Sequence, residues 1–378
     1  MNSKQHIPLS LKIRSSLIAL AKKMLDPVVA IFLALLVGSV IITFTGDDVV
    51  LAISSLVLGA FGNLRSLGQS FLAATPILFT GLAFAVAYRS GIFNIGAEGQ
   101  FLVGAIAGAY VGTLFSHLPA FIYIPIVLAS GGIVGALWAF LPAILKIKLG
   151  VHEVINVIML NKIALYLTNW LVSVDGPFRQ GSVQPATPFV CEVVRLQPIL
   201  PKSPMNVGYF IGIVVAYLMY LIMWKTSSGY QMRAVGYNMH AAKFSGINAE
   251  SSIVKAFMIS GALAGIGGAM EICSVFGRFY AGFSPGYGFE GIAVSLLGNN
   301  HPAGIIISSL LFGALKTGAM RMQILAGTNV NLVKVLQALI IFFVAGKWSI
   351  TELYARYKEK KRLSDRGSVA NSQKGENQ

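Results

Sequence analysis

Long apolar runs separated by short polar breaks dominate the chain. They cover 27–45, 67–88, 97–116, 119–144, 153–173, 206–224, 252–273, 303–320 and 331–346. Runs of about 17–25 apolar residues are long enough to cross a bilayer core as α-helix. One further stretch, 289–299, is apolar but too short for a full crossing. The run Val49–Phe61 is also short, and is expected to lie on the membrane surface or dip into it. The pattern predicts an all-α membrane protein, a polytopic helical bundle of about ten transmembrane helices, with about eight as the lower bound.

Charge sets the expected orientation. Lys and Arg number 29 against 14 Asp and Glu, a formal net charge of +15. These basic residues form no stripe with interleaved aromatics, so nucleic acid is not an expected partner. They gather at the chain ends and in short loops, as the positive-inside rule describes. Lys4, Lys12, Arg14, Lys22 and Lys23 precede the first run; Lys347, Arg356, Lys358, Lys360, Lys361 and Arg362 follow the last. Both termini therefore prefer the cytoplasm, which requires an even number of crossings, and counting 289–299 gives ten. Lys146, Lys148, Lys225, Arg233 and Lys243 then fall inside, while the proline-rich loop 174–205 and the stretch Asp47–Ser66 fall outside. The expected organisation is a basic cytoplasmic segment at 1–26, a transmembrane domain at 27–348 and a disordered basic cytoplasmic tail at 349–378. Leu9, Ile13, Leu17, Leu20 and Met24 recur at helical spacing among basic residues. They make either an interfacial helix on the anionic inner leaflet or a leader that only sets topology. No small-x-small cleavage site follows the first run, which is read as an uncleaved span of a multi-pass inner-membrane protein.

Composition agrees with this picture. Hydrophobic residues make up 55% of the chain and charged residues 11%, where a soluble domain carries about 25% charged. Glycine is frequent, at 40 residues, including Gly104, Gly108, Gly261, Gly265 and Gly268 inside predicted spans; small residues let membrane helices approach closely. The two cysteines, Cys191 and Cys273, have no metal-ligand spacing. A disulfide between them is conceivable, and two unrelated thiols is the simpler reading. Neither a metal nor a cofactor is expected.

Three segments are polar or irregular where a plain span would not be. Tyr88–Gln100 places Asn94, Glu98 and three glycines between two apolar runs with almost no hydrophilic loop. Such backbone survives near membrane depth only where protein or a watery cavity satisfies it, and an ionisable group there needs a partner or a task. Arg89 is the nearest candidate partner; alternatively, Glu98 merely caps the helix that follows. Thr226–Ser252 combines Arg233, Ala234, Gly236 and Asn238 with a small-residue patch at Ala241, Ala242, Ser245 and Gly246. A short helix with such a face fits a groove on a partner protein, whereas an ordinary solvated loop would carry more charge. Gly286–Pro302 joins Glu290, Asn299, Asn300, a His and a Pro to the short apolar stretch. It suits either a half-span beside a translocation pathway or a kinked span with a satisfied polar tip. Glu98-Gly99 and Glu290-Gly291 each open an apolar run, a weak hint of an inverted repeat. Lys162, Lys255, Lys316 and Lys334 lie within or near span ends and are expected to snorkel.

The phosphate-binding pattern G-x-x-x-x-G-K-[ST] is absent, since Gly346-Lys347 is followed by Trp348. The chain is therefore not expected to hydrolyse ATP. The runs GIFNIGAEGQ (91–100), HEVINVIMLN (152–161), RAVGYNMHAAKFSGI (233–247) and GYGFEGIAVSLLGNNHP (286–302) together resemble the permease family of ABC importers for branched-chain amino acids, ribose and nucleosides. The resemblance covers about Leu67 to Trp348, and looks most like the nucleoside branch and the longer of its two paired permeases. It implies a cytoplasmic ATP-binding subunit, a second, shorter permease, and an extracytoplasmic solute-binding lipoprotein or periplasmic protein. Arg233, Ala234, Gly236, Asn238, Ala241, Ala242 and Gly246 would then form the ATPase-coupling segment of loop 226–251. Asn94, Glu98, Asn156, Asn161, Glu290, Asn299 and Asn300 would lie along the translocation pathway. The same architecture importing a sugar, riboflavin or an amino acid stays open. From other classes, an ion-gradient-driven transporter using Glu98 and Glu290 is an alternative, and a membrane-embedded enzyme would need a catalytic constellation not found here.

Overall fold

Helices make up most of the described residues. The computed structural model describes residue 29 and residues 32–180, 184–329 and 331–345. The basic segment 1–26, with its proposed interfacial helix, and the tail 349–378 lie outside the described residues. Thirteen α-helices can be labelled within the described part: α1 (Phe32–Thr45), α2 (Val49–Phe61), α3 (Leu64–Arg89), α4 (Ala97–Val111), α5 (Ala120–Leu149), α6 (Glu153–Leu171), α7 (Gly208–Lys225), α8 (Ser227–Tyr237), α9 (Met239–Phe244), α10 (Ala249–Glu271), α11 (Tyr287–Leu297), α12 (Pro302–Ala326) and α13 (Asn331–Ala345). Among the described residues there is no β-strand, only an isolated bridge between Ala186 and Tyr280. Six helices are long and apolar enough to cross a membrane: α3, α5, α6, α7, α10 with its π-turn, and α12. Four others, in α1, α2, α11 and α13, are apolar but shorter. The chain is a polytopic helical membrane protein.

Sequence explains where the helices begin and end. Asp48 accepts from Val50 N and Leu51 N at the start of α2, and Asn63, Thr226, Asn238 and Asn248 cap α3, α8, α9 and α10 in the same way. His301 caps α12 while Pro302 occupies its first turn. Gly150 and Gly327, both in the left-handed region, stop α5 and α12.

The chain divides into two units, residues 1–47 with 331–378, and residues 48–330. In the first, Gly38 of α1 lies against the Leu336 side chain of α13. In the second, α10 is the central helix, packed on α3, α4 and α5. Its contact with α5 is backbone to backbone: any side chain on Gly265 would run into the Gly131 carbonyl, and one on Gly135 into the Gly261 carbonyl. Gly104 of α4 is pressed on the same Gly265, and its carbonyl also lies close to Gly131. The glycines at these positions are thus a packing requirement. The α2 helix is packed rather than loose, with Gly59 set against Gly318 of α12 and Ala52, Leu56 and Ala60 buried.

The loop 174–205 is ordered by backbone bonds in its described part. Val190 N donates to Gly277 O (2.8 Å), Cys191 N to Gly112 O (2.9 Å) and Leu196 N to Cys273 O (2.9 Å). Cys191 and Cys273 are both free thiols, so the simpler reading of the cysteines fits.

Candidate functional site

Two helices begin where a plain span would be in mid-course. The start of α4 and the residues just before it are tied to the middles of α6 and α10 and to the last third of α3. Asn94 Nδ2 donates to Ser260 Oγ of α10 (2.8 Å), and Ser260 Oγ donates to Ala83 O of α3 (2.7 Å). Asn94 also donates to Gln100 Oε1 (3.1 Å) and accepts from Gly96 N (3.0 Å). From α6, Asn161 accepts from Gly99 N (2.9 Å) and donates to Ile95 O (3.0 Å). Side chains thus stand in for the helical partners that this irregular backbone lacks.

The second interrupted helix, α11, starts beside the first. Gly288 N donates to Glu98 Oε2 (2.7 Å), and Thr80 Oγ of α3 donates to Tyr287 O (2.9 Å). Ser284 Oγ accepts from Gly286 N and Tyr287 N. This Ser lies in a Gly-x-Ser-x-Gly run, Gly282–Gly286, and its hydroxyl serves the start of α11 as an acceptor. Glu98 stands in the first turn of its own helix and caps a second one, so the positive ends of two helix dipoles face one carboxylate. A side chain at 288 would collide with the Glu98 backbone, which is why Gly is required there. The capping expectation for Glu98 is incomplete: the residue lies in the first turn of α4, as expected, and also caps α11. Arg89 is not its partner. Arg89 Nε and Nη2 donate to Asn300 O (3.1 Å) and Asn299 O (2.9 Å).

Tyr287 links this junction to further ionisable groups. Its hydroxyl donates to Glu271 Oε1 of α10 (3.2 Å), and Lys316 Nζ of α12 lies 4.2 Å from its ring centre. Lys316 Nζ is also 3.4 Å from each carboxylate oxygen of Glu290. Glu271 Oε2 is buried without a hydrogen-bond partner. Lys316 therefore does not snorkel to a span end; it pairs with Glu290 across α11 and α12, part-exposed. Sequence reading missed Glu271, Tyr287, Thr80 and Ser260. Glu271 and Lys316 carried a usable signal, an ionisable residue inside an apolar run.

The other proposed pathway residues are structural in their contacts. Asn156 Nδ2 donates to Pro142 O (3.3 Å), tying α6 to α5. Asn299 and Asn300 have φ of +55° and +50° and form the turn between α11 and α12, with Ser295 Oγ donating to Asn300 Oδ1 (2.9 Å). Asn tolerates that conformation better than most residues. No group of three His, Cys, Asp or Glu residues among the described residues is arranged to hold a metal ion.

A second site is formed by α8 and α9, which fold the expected docking loop into two short helices. Tyr230, Arg233, Ala234, Tyr237, Asn238 and Ala241 border a groove of about 300 Å³. Tyr237 is 82% and Phe244 93% exposed. The predicted coupling residues divide between this surface and the interior. Ala234 and Ala241 line the groove, and Asn238 caps α9 through Ala241 N (3.0 Å). Gly246 makes the turn after α9 at φ +79°. Ala242 is buried, and Gly236 is pressed on the Arg89 carbonyl and Gly91, with no room for a Cβ. Arg233 Nε donates to Met223 O (2.9 Å), and its guanidinium lies 5.7 Å from the Trp224 ring. Arg89 approaches the same ring at 5.8 Å. The groove is thus connected through Trp224 and Arg89 to the 299–300 turn.

Comparison with known proteins agrees with these features. The profile described as branched-chain amino acid transport system / permease component matches residues 66–345. The chain is 39% identical over 346 residues to the guanosine ABC transporter permease protein NupP of Bacillus subtilis, covering 89% of this chain and 97% of that one. It is 34% identical to the nucleoside ABC transporter permease protein NupB of Lactococcus lactis, over 94% of this chain and 98% of that one. It is 31% identical to the glucose ABC transporter permease protein TsgB13 of Haloferax volcanii, over 91% and 92%. No solved structure matches. The interrupted helices, the connected α8–α9 surface and the extent of these similarities lead to one assignment: the chain belongs to the branched-chain amino acid transport system permease family and is a permease component of an ABC transporter.

Proposed function

We propose that this permease imports nucleosides across the inner (cytoplasmic) membrane, driven by a separate ATP-binding subunit that docks on α8 and α9. NupP and NupB, named for guanosine and nucleosides, favour that substrate class. The similarity to a glucose permease keeps a sugar as the second reading. The observation that carries the proposal is the α8–α9 groove with its exposed Tyr237 and Phe244, connected through Gly236, Arg89 and Trp224 to the turn that ends α11. A push on that groove reaches the interrupted helices without crossing a flexible loop.

The remaining parts of the reading follow from this. Ten crossings with both termini cytoplasmic place 226–251 inside and 174–205 outside. The partners are the ATPase, a second and shorter permease, and an extracytoplasmic solute-binding lipoprotein or periplasmic protein. Glu98 and Glu290 lie beside the pathway, and Asn94, Asn156, Asn161, Asn299 and Asn300 hold the backbone around it. Arg233, Ala234, Asn238, Ala241 and Ala242, which line the groove, contact the ATPase, while Gly236 and Gly246 set the position and the end of the docking helices.

The test is uptake of radiolabelled guanosine into proteoliposomes holding the assembled transporter, with ATP inside and the solute-binding protein outside. Uptake is expected to require the ATPase subunit, and Phe244→Ala with Tyr237→Ala is expected to lower it on the order of tenfold, as loss of aromatic anchors does. Uptake by this chain alone, abolished by a protonophore, would instead establish ion-gradient transport.

A further inference from the structure

The Glu290–Lys316 pair sits where a lipid-facing surface does not tolerate it. Lys316 lies near the middle of the 25-residue α12, and Glu290 is in the first turn of α11. Their side chains keep 27% and 19% exposure, and the neighbouring Phe289 is 50% exposed. An ion pair open to hydrocarbon loses its hydration with nothing to replace it. This face therefore meets water or protein.

The pair is also loose. Both oxygens of Glu290 stand 3.4 Å from Lys316 Nζ, against 2.8 Å for Lys146 and Glu153. Glu290 keeps acceptor capacity, Lys316 keeps donors, and the residue before Glu290 in the chain, Phe289, presents an exposed ring. Behind them Tyr287 and Glu271 complete a polar wall. Donors, acceptors and an aromatic face together suit a planar, neutral, hydrogen-bonding solute. Loose contacts also suit a passage that must release what it binds.

We propose that Phe289, Glu290 and Lys316 form a water-lined station in the translocation path, where a nucleoside stacks on Phe289 and exchanges hydrogen bonds with the charged pair. The proposal rests on the permease reading. It is tested in the assembled transporter with Cys191→Ser and Cys273→Ser, carrying Phe289→Cys or Lys316→Cys as the single thiol. Ile133→Cys, an exposed apolar position on α5, is the lipid-side reference. The probe is a charged, membrane-impermeant methanethiosulfonate, with and without saturating guanosine and the solute-binding protein. Labelling at 289 or 316 is expected to be on the order of tenfold faster than at 133 and to slow several-fold with guanosine, because thiolates form in water and not in hydrocarbon. Labelling no faster than at 133, or fast labelling that guanosine leaves unchanged, overturns the station. Guanosine uptake by the unsubstituted transporter is measured alongside. Its absence is a failure of the functional reading, which the labelling ratio separates from a failure of the station.

Discussion

Glu98 is the residue on which the two interrupted helices depend, because it supplies a charge to both N-termini and a direct acceptor to Gly288 N. Glu98→Gln keeps an acceptor but removes the charge, and is expected to cost roughly 0.5–2 kcal/mol. Glu98→Leu leaves a buried N–H without a partner, and is expected to cost more, roughly 1–3 kcal/mol for that group before any misfit. Thermal unfolding of the detergent-purified protein measures both; equal losses would mean that the hydrogen bond contributes nothing. Tyr287 and Glu271 allow a second test. Tyr287→Phe leaves Glu271 with neither oxygen hydrogen-bonded, so it is expected to destabilise, and adding Glu271→Met is expected to recover part of the loss, since an apolar pair needs no partner. A double variant no better than the sum of the two singles contradicts this coupling. At this scale the sequence revealed which polar residues were out of place but not their partners. Glu98 and Gly288 are 190 positions apart, and Arg89, much nearer in sequence, serves a different turn.

Among elements, the contrast lies between helices in backbone contact and helices joined by polar side chains. The α4, α5 and α10 helices meet at glycines, so Gly265→Leu is expected to prevent assembly, with little protein surviving detergent extraction, while a Leu at the open Gly282 turn loses less. Overpacking of this kind costs about 1–3 kcal/mol even where neighbours yield, and a carbonyl cannot yield. The α8 connection predicts a different phenotype. Trp224→Leu removes the ring shared by Arg89 and Arg233, and is expected to leave ATP hydrolysis by the assembled complex running while guanosine uptake falls several-fold. Parallel loss of both activities would mean that the ring only stabilises the fold. The helices themselves were legible because length and apolarity alone mark a span. The brevity of α4 and the doubling of the docking loop were not, since both depend on side chains from distant helices that cap and hold the breaks.

For the whole molecule, the sidedness of the membrane decides whether the mechanism is possible. Phe244→Cys is expected to react with an impermeant thiol reagent only in inside-out vesicles, and Phe189→Cys only in right-side-out ones, both in a background free of Cys191 and Cys273. The reverse pattern would put α8 and α9 beyond reach of any cytoplasmic motor. Family membership was visible in four short runs: two hold the starts of α4 and α11, one opens α6 with Asn156 and Asn161, and one is the α8–α9 loop. Substrate choice was not visible, since most of the polar groups around the junction are occupied by backbone and leave few free to discriminate. The glycine contacts between α5 and α10 have a mechanical consequence. Two rods touching along their backbones have no cushion of side chains to compress, so they transmit displacement instead of absorbing it. A stroke delivered at one end of the bundle is then expected to pass with little loss to the junction of α4 and α11, where Gly288 is packed on the Glu98 backbone and bonded to its carboxylate.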